Sequence, residues 1–259
     1  MHYNPYLLNE GEYPLETLRK KAAELKSKGL DIIDLTIGDP KDTTFEAVPQ
    51  ALINTLNATK NSHYPSTIGT LELRSAFSEW CSTHHKINLD PKENMLTCNG
   101  SKEAIFHLAM CFDWSDKKEI WFPSLSYPVY KSSAGLLGIT YKELPVSEET
   151  SFLPDLDSIS EEDWTKCALF WINSPHNPTS TIASYEYFKQ LLEKAEKHNF
   201  LVCSDECYNE LYYGETRPTS VLDFPDSQQW VVFKSLSKRS HMTGYRSGMI
   251  ASLHKSLIS

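Results

Sequence analysis

Short apolar runs alternate along the chain with segments whose apolar residues recur at helical spacing. Five runs rich in apolar, β-branched or aromatic residues predict buried strands: Asn94–Cys98, Glu119–Phe122, Ala168–Asn173, Phe200–Ser204 and Gln229–Phe233. Between them, Ser101–Phe112 and Tyr185–His198 place apolar side chains along one face, which predicts two amphipathic helices. Strands that alternate with helices over most of a chain favour an α/β fold with a largely parallel sheet.

Composition and charge narrow the class of protein and its partners. With 259 residues, 40% hydrophobic and 23% charged, the chain has ordinary globular composition, which excludes a disordered or fibrous protein. Its net charge of −9, without a basic cluster that could follow a phosphate backbone, makes nucleic acid an unexpected partner. We find neither the ~18 consecutive apolar residues of a membrane helix nor a signal peptide. Six cysteines without a C-x-x-C pair then predict reduced thiols in a cytoplasmic protein.

The residues that follow each predicted strand are the first candidates for chemistry. In an open α/β sheet, ligands bind beyond the carboxyl ends of the strands. Ser101 and Lys102 follow the first run and open a helix, where free N–H groups and a hydroxyl can bind an anion. A simple helix cap at Ser101 is the alternative. Neither a Walker P-loop nor a G-x-G-x-x-G motif occurs, so the usual nucleotide-binding fingerprints are absent.

Polar residues also follow the next two buried runs. Asn177 stands between Pro175 and Pro178, in a turn that could fix its amide, although a purely structural turn is the commoner role. Asp205 and Glu206 end the run Phe200–Ser204. Buried carboxylates are costly unless they are paired or functional, so a cap and a local salt bridge are the alternatives to a site.

A basic loop follows the last predicted strand. Ser235, Lys238, Arg239 and Arg246 lie within 12 residues of one another, in a chain whose net charge is −9. A lysine among cations and apolar groups has its amine pKa lowered from ~10.4, and a neutral amine condenses with aldehydes. A solvated basic loop is the alternative interpretation.

In their order and spacing, these motifs resemble the class I/II aminotransferases, which are pyridoxal-phosphate-dependent enzymes of the aspartate aminotransferase fold. Asp205 precedes Tyr208 by three residues, Ser235 precedes Lys238 by three, and Arg246 follows Lys238 by eight. The match covers about residues 30–250. It implies the α/β fold of type I pyridoxal-phosphate transferases, with a mostly parallel seven-stranded sheet sandwiched by helices.

The resemblance also implies a division of the chain into domains. Residues 1–44 would form an N-terminal arm and the start of a small domain, and residues 45–259 the cofactor-binding large domain. Gly248–Ser252 matches the last, antiparallel strand of that domain. The C-terminal domain, with the arginine that binds the substrate's α-carboxylate in this family, is expected to be missing.

Each matched residue acquires an implied role at the reactive end of pyridoxal 5′-phosphate. Lys238 would form the Schiff base with the cofactor and then carry the proton at the substrate's Cα. Asp205 would pair with the pyridine nitrogen and so keep the ring an electron acceptor. Asn177 and Tyr208 would donate hydrogen bonds to the ring's phenolate oxygen. Tyr127 would stack on the face of the ring.

The remaining matched residues have implied roles at the phosphate of the cofactor and at a dimer interface. Ser101, Lys102, Ser235 and Arg246 would hold the phosphate, for which the guanidinium fork is suited. Tyr64 matches the tyrosine that reaches the phosphate of the other subunit. The resemblance therefore implies a homodimer with shared sites and small-molecule partners, an amino acid and a 2-oxo acid.

Substrate recognition is the least determined part of the resemblance. Gly38 matches a glycine that lies beside the substrate, and no metal is expected. The loop around Lys238 is most similar to the succinyldiaminopimelate aminotransferase branch, and glutamate with 2-oxoglutarate is the family's usual amino-donor pair. Two alternatives remain open: a lyase or synthase on the same fold, and a truncated, non-catalytic fragment that binds the cofactor.

Overall fold

A computed structural model describes residues 2–9, 14–59, 63–116 and 118–258 of the chain. These residues form two compact units, Met1–Asp42 and Thr43–Ser259. The smaller unit contains helices α1 (Pro5–Asn9) and α2 (Pro14–Ser27). The division into domains at residues 1–44 and 45–259 stays a prediction.

The larger unit is built on one seven-stranded sheet, which confirms the predicted fold class. Its strands are β1 (Met95–Cys98), β2 (Glu119–Pro123), β3 (Tyr141–Leu144), β4 (Cys167–Asn173), β5 (Leu201–Asp205), β6 (Trp230–Ser235) and β7 (Gly248–Ala251). They lie in the order β1-β7-β6-β5-β4-β2-β3. Strands β3, β2, β4, β5 and β6 pair in parallel, whereas β7 runs antiparallel to both β6 and β1. The antiparallel strand expected after Arg246 is therefore confirmed.

Helices pack on both faces of the sheet. The helices described in the larger unit are α3 (Ala47–Thr59), which buries no residue, α4 (Leu71–His85), α5 (Ser101–His107), α6 (Val129–Leu137), α7 (Glu161–Trp164), α8 (Tyr185–His198), α9 (Leu236–Arg239) and α10 (Lys255–Ile258). One core cluster joins α4 and α8 to Phe170 and Ile172 of β4. A second joins α5 and α6 to Leu169 and Trp171, because successive residues of a strand face opposite sides.

Helix α8 has the predicted bounds, and its ends explain why. The Ser184 hydroxyl accepts a hydrogen bond from the Tyr187 amide at 3.1 Å, and Asn199 ends the helix in the left-handed conformation. In the described ranges, no helix has the length and apolar character needed to cross a bilayer.

The predicted helix Ser101–Phe112 is shorter in the structure. The α-helix ends at His107, and Leu108–Cys111 forms a 3-10 turn. Side-chain donors bind carbonyls at this point: the Ser133 hydroxyl donates to Phe106 O, and Trp114 Nε1 donates to Ala109 O at 2.7 Å. These bonds satisfy carbonyl groups that would otherwise continue the helical ladder, which favours the tighter turn.

Candidate functional site

Three adjacent strands end side by side and bring polar residues together. Asn173 ends β4, Asp205 ends β5 and Ser235 ends β6, and Asn173 is the register partner of Asp205. The Asn173 side chain donates to the Asp205 carbonyl oxygen at 2.7 Å. Beyond the strand, the Glu206 amide donates to Phe233 O at 3.0 Å, so the loop after β5 stays attached to β6. The carboxyl edge of the sheet therefore carries the candidate site, as the parallel topology predicts.

Asp205 is a carboxylate buried at this edge, with only 3% of its surface exposed. The Tyr130 hydroxyl donates to its Oδ2 at 2.9 Å, and the Cys207 amide donates to Oδ1 at 3.3 Å. Burial raises the pKa of Asp205, and the hydrogen bonds from Tyr130 and Cys207 offset part of the rise. Both donors are neutral, so they leave the negative charge for a cationic ligand to balance.

Asn177 and Tyr208 meet beside this carboxylate. Asn177 Nδ2 donates to the Tyr208 hydroxyl at 3.3 Å, and the backbone amide of Asn177 donates to Asn173 Oδ1 at 2.7 Å. Burial raises the pKa of Tyr208, with smaller contributions from Cys207, Asp205 and Tyr127 and a partly opposing hydrogen bond from Asn177. The pair offers one amide donor and one neutral hydroxyl to a ligand oxygen.

An aromatic wall stands next to Asp205. The Tyr127 ring lies edge-on to the Tyr130 ring, with centroids 6.1 Å apart and an interplanar angle of 84°. Tyr130 in turn stacks on Trp171, with centroids 4.8 Å apart. Tyr127 is half-buried, so part of its ring remains available for a flat ligand.

The predicted phosphate residues converge around two glycines. A Cβ atom on Gly248 would lie 2.9 Å from both Ser101 N and Lys234 O, so only glycine lets β7 approach the start of α5 and the end of β6. Gly100 has a φ of +85°, and any side chain there would overlap the Arg246 guanidinium. These close approaches bring Ser101, Ser235 and Arg246 near one another, because Ser235 is the register partner of Gly248.

Arg246 and Ser235 are both held by local hydrogen bonds. Arg246 Nη1 donates to Thr243 O at 2.9 Å and Nη2 donates to Asn99 O at 3.2 Å. The Ser235 hydroxyl accepts from the Ser237 amide at 3.1 Å, which caps α9. Lys102 is the second residue of α5, and its side chain is exposed.

Lys238 lies in α9, the short helix that directly follows β6, and is half-buried. Its charge acts on the Cys207 thiol: burial, followed by Asp205, raises the pKa of Cys207, and Lys238 lowers it in part. The lysine and the Asp205–Tyr208 loop therefore face the same region. Among the described residues, no three His, Cys, Asp or Glu side chains are grouped so that they could hold a metal ion.

The two remaining predicted residues are Tyr64 and Gly38. Tyr64 is fully exposed in a segment without regular secondary structure before Gly69, so its side chain does not join the residues around Asp205 and Gly248. Gly38 belongs to the smaller compact unit, where its surroundings are open. Both roles stay predictions.

Sequence reasoning missed Tyr130 and Asn173 as parts of the site. Tyr130 was visible as the residue three positions after Tyr127, a spacing that puts both rings at one helix start. Asn173 was visible as the last residue of a buried run, where a side-chain amide needs partners. Neither signal identifies Asp205 as the partner, because that contact joins residues 75 positions apart for Tyr130.

Comparison with known proteins agrees with this geometry. The family model described as aminotransferase class I and II matches residues 30–259. The LL-diaminopimelate aminotransferase of Aquifex aeolicus is 38% identical over 246 residues, 95% of this chain and 62% of that protein. LL-diaminopimelate aminotransferase 2 of a Nostoc species is 35% identical and covered to 61% of its length. This chain therefore spans less than two thirds of the length of these two relatives.

Solved structures with the same fold include three aminotransferases. The Neisseria meningitidis enzyme superposes with a TM-score of 0.86 at 29% identity, over 98% of this chain and 66% of that one. Aspartate aminotransferase from Thermotoga maritima gives 0.87 at 28% identity, over 98% and 67%. A probable N-succinyldiaminopimelate aminotransferase from Thermus thermophilus gives 0.85 at 26%, over 94% and 66%.

Proposed function

The chain belongs to the class I and II aminotransferases, and we propose that it transfers an amino group between an amino acid and a 2-oxo acid. Members of this family use pyridoxal 5′-phosphate. The observation that carries the proposal is the buried carboxylate of Asp205, held by neutral donors at the strand edge that also carries Ser235. Bound cofactor supplies an aldehyde that condenses with primary amines and a ring that accepts electrons.

The groups around Asp205 fit the ring of this cofactor. A protonated ring nitrogen would balance the buried charge of Asp205, which Tyr130 and Cys207 leave uncompensated. The half-buried ring of Tyr127 offers a stacking face. The side-chain amide of Asn177 and the hydroxyl of Tyr208, whose Nδ2 and oxygen are 3.3 Å apart, would both donate to the ring oxygen.

The groups around Gly248 fit a phosphate. The amides of Ser101 and Lys102, the hydroxyls of Ser101 and Ser235, and the Arg246 guanidinium would hold it. Lys238, one helical turn beyond Ser235, would be the amine that joins the cofactor. Once the substrate's amine has replaced it, its Nζ would carry the proton from the substrate's Cα to the cofactor's aldehyde carbon, and in the opposite direction when the 2-oxo acid receives the amino group.

The relatives suggest the substrates. Those that match over most of this chain are named LL-diaminopimelate aminotransferases, so we propose LL-diaminopimelate as one substrate, with glutamate and 2-oxoglutarate as the other pair. Gly38 would lie beside the bound substrate. We further propose a biosynthetic role in the cytoplasm, a reducing compartment in which six free cysteines are expected.

We propose a homodimer with shared sites as the working form. Helix α3 has no buried residue, although Leu52, Ile53 and Leu56 lie on it and are about half to two-thirds exposed. Tyr64 is fully exposed a few residues later. Exposed apolar surface of this kind is typical of an interaction site, and a second copy would cover α3 and receive Tyr64.

The experiment that tests this proposal is trapping of the cofactor by borohydride, followed by intact mass and peptide mapping. Native chain incubated with pyridoxal 5′-phosphate should gain one reduced adduct on Lys238, and Lys238→Ala should gain none. Lys131→Ala, which removes an exposed lysine on α6, is the control and should behave as native. An unchanged adduct in Lys238→Ala would overturn the assignment.

Native protein with bound cofactor that has not been reduced distinguishes transfer from the other chemistries of the fold. Adding glutamate or LL-diaminopimelate to the native protein should convert the visible band of the bound cofactor to the pyridoxamine spectrum. The matching 2-oxo acid should accumulate in equal amount. Release of ammonia without 2-oxo acid exchange would indicate a lyase and contradict transamination.

A further inference from the structure

An ion pair is buried next to the candidate site and is not part of the cofactor residues. Lys234 Nζ lies 2.8 Å from Glu206 Oε2, and the two side chains are 8% and 0% exposed. The pair lies on the α4 side of the sheet, because the Lys234 ammonium sits over the Trp80 ring at 5.2 Å. Asp205 bonds instead to Tyr130 of α6, on the opposite face.

Glu206 is held by a full set of donors. The Ser204 hydroxyl and the Val221 amide donate to its Oε1, each at 2.9 Å, and the Ser220 hydroxyl donates to Oε2 at 2.6 Å. On the other side, Lys234 Nζ donates to Asn209 Oδ1 at 3.2 Å. The pair is therefore a fixed junction and not a mobile surface contact.

The pair lies between the two segments that carry the candidate cofactor residues, one after β5 and one at the end of β6. Glu206 follows Asp205 directly and begins the loop that carries Tyr208. Lys234 precedes Ser235 directly and stands four residues before Lys238. The backbone pairing of β5 with β6 ends at Asp205 and Phe233, with one further bond from the Glu206 amide to Phe233 O at 3.0 Å. The side chains of Lys234 and Glu206 make the next connection between the two segments.

Stability alone does not call for charges at this position. Taking two ions out of water costs several kcal/mol per ion, and a well-packed apolar pair is often as stable as a buried ion pair. What a charged pair adds is a fixed distance and direction, since a hydrogen-bonded ion pair is more directional than an apolar contact.

We propose that Lys234 and Glu206 are positioning residues for the cofactor site. Through their contact they hold the end of β5 with its following loop, which carry Asp205 and Tyr208, at a set distance from the end of β6 and α9. These carry Ser235 and Lys238. This inference rests on the proposed function for its consequence, since both segments would hold the same cofactor, one at its ring nitrogen and ring oxygen and the other at its phosphate and aldehyde. That the pair fixes the distance between the two segments can be tested on the protein without cofactor.

The test removes both charges together, in the double variant Lys234→Met with Glu206→Gln. This change keeps side-chain length and net charge, and it leaves no unpaired buried ion that would unfold the chain. The matched control is Lys131→Met with Glu143→Gln, which removes an exposed pair of the same type at 2.9 Å. Urea unfolding gives the global stability of each protein.

The first readout needs no cofactor. In amide hydrogen exchange, the double variant should lose protection in residues 206–210 and 234–240, while β2 and β4 keep the protection of the native chain. Unchanged exchange in these segments, or a uniform loss over the whole sheet, would overturn the positioning role. The control pair should exchange as native does.

The second readout is the affinity for pyridoxal 5′-phosphate, measured by titration at a temperature where every variant is folded. Displacing binding groups by a fraction of an ångström should weaken the double variant about tenfold or more. Native affinity in the double variant would overturn the proposal. Failure of the native chain to bind the cofactor would instead contradict the proposed function, and hydrogen exchange would still decide the role of the pair.

Discussion

Asp205 shows at the scale of one residue how the chain departs from what folding alone favours. A carboxylate at the end of a buried strand loses most of its hydration, and burial raises its pKa. The Tyr130 hydroxyl and the Cys207 amide return only part of that loss. Such a residue lowers the stability of the unliganded protein, and it is understandable where a cationic ligand is to be bound.

The first prediction concerns the pH dependence of stability without cofactor. Because the pKa of Asp205 is raised on folding, the folded chain holds this proton more tightly than the unfolded chain does. The contribution of Asp205 to the free energy of unfolding is therefore favourable at low pH. It is lost as pH rises from the pKa of the unfolded chain, about 3.8, through the pKa of the folded chain. Asp205→Asn removes this component of the slope, which urea unfolding at a series of pH values will measure.

Tyr130→Phe gives the opposite change in the same experiment. Without the hydroxyl, the folded carboxylate loses a donor and its pKa rises further, so stability should fall more steeply with pH than in the native chain. Tyr185→Phe is the control, because its exposed ring stacks on Phe224 with centroids 4.5 Å apart and contributes through that contact. Parallel pH profiles for the native chain and Asp205→Asn would refute the assignment of the slope to Asp205.

At the scale of elements, the sequence was informative where a segment had one buried face and clear ends. Helix α8 satisfies both conditions, with apolar residues on one side and caps at Ser184 and Asn199. Strand β3 satisfies neither, because Tyr141–Leu144 is a short edge strand that pairs only with β2 and buries one residue fully. Its apolar and charged residues leave no strand pattern to detect.

The helices before β1 escaped prediction for a related reason. Helix α3 buries no residue, so nothing in its own unit imposes a pattern on it. Helix α4 buries Arg74 and His85 together with Phe77 and Cys81, and polar residues at buried positions hide a helical period. Tertiary hydrogen bonds bind part of these polar groups: His85 Nδ1 pairs with Asp223 Oδ1 at 2.9 Å and Arg74 donates to Pro91 O, whereas Arg74 Nε and His85 Nε2 are buried without a partner among the described residues. Sequence alone does not show such partners.

The close packing of β7 against α5 and β6 makes Gly248 sensitive to substitution. Gly248→Ala would place a Cβ 2.9 Å from two backbone atoms, Ser101 N and Lys234 O, so the strand must move away from both. Overpacking of this kind costs about 1–3 kcal/mol. We expect lower stability in urea and weaker cofactor binding, since the displaced groups include the proposed phosphate residues.

Gly244→Ala is the matched control for this change. An added Cβ there meets no heavy atom within 4 Å, and the residue lies in the short turn Thr243–Tyr245 next to the same region. It should retain native stability and cofactor affinity within about 0.5 kcal/mol. Equal losses in both variants would mean that the close approach at Gly248 is not what the site depends on.

At the scale of the whole molecule, one chain supplies the groups that fit a cofactor but leaves Tyr64 and the apolar side chains of α3 exposed. The order of motifs along the sequence predicted the candidate residues from Ser101 to Arg246. It did not predict the contacts that connect them, because the pairs Tyr130–Asp205 and Lys234–Glu206 join separate elements. Those contacts follow from strand order and register, which only the folded chain defines.

A homodimer with shared sites makes a prediction that a monomer with a complete site does not. Tyr64→Phe should weaken cofactor binding in both sites of a symmetric dimer, because each site would receive the partner's tyrosine. Lys238→Ala should abolish trapping in both sites. When the two variants are mixed in equal amounts and allowed to exchange subunits, each mixed dimer has one site with both native residues.

Random exchange of two variants puts about half of the molecules in mixed dimers, so about a quarter of all sites should regain native affinity. The measurement is borohydride trapping on Lys238 at a cofactor concentration too low to fill the Tyr64→Phe sites. Each variant exchanged with itself is the control and should show no recovery. If Tyr64 instead served its own subunit, the mixture would trap no more than the average of the two separate variants, because no exchange could unite Tyr64 with Lys238. Recovery above that average therefore requires that the site be built from two chains.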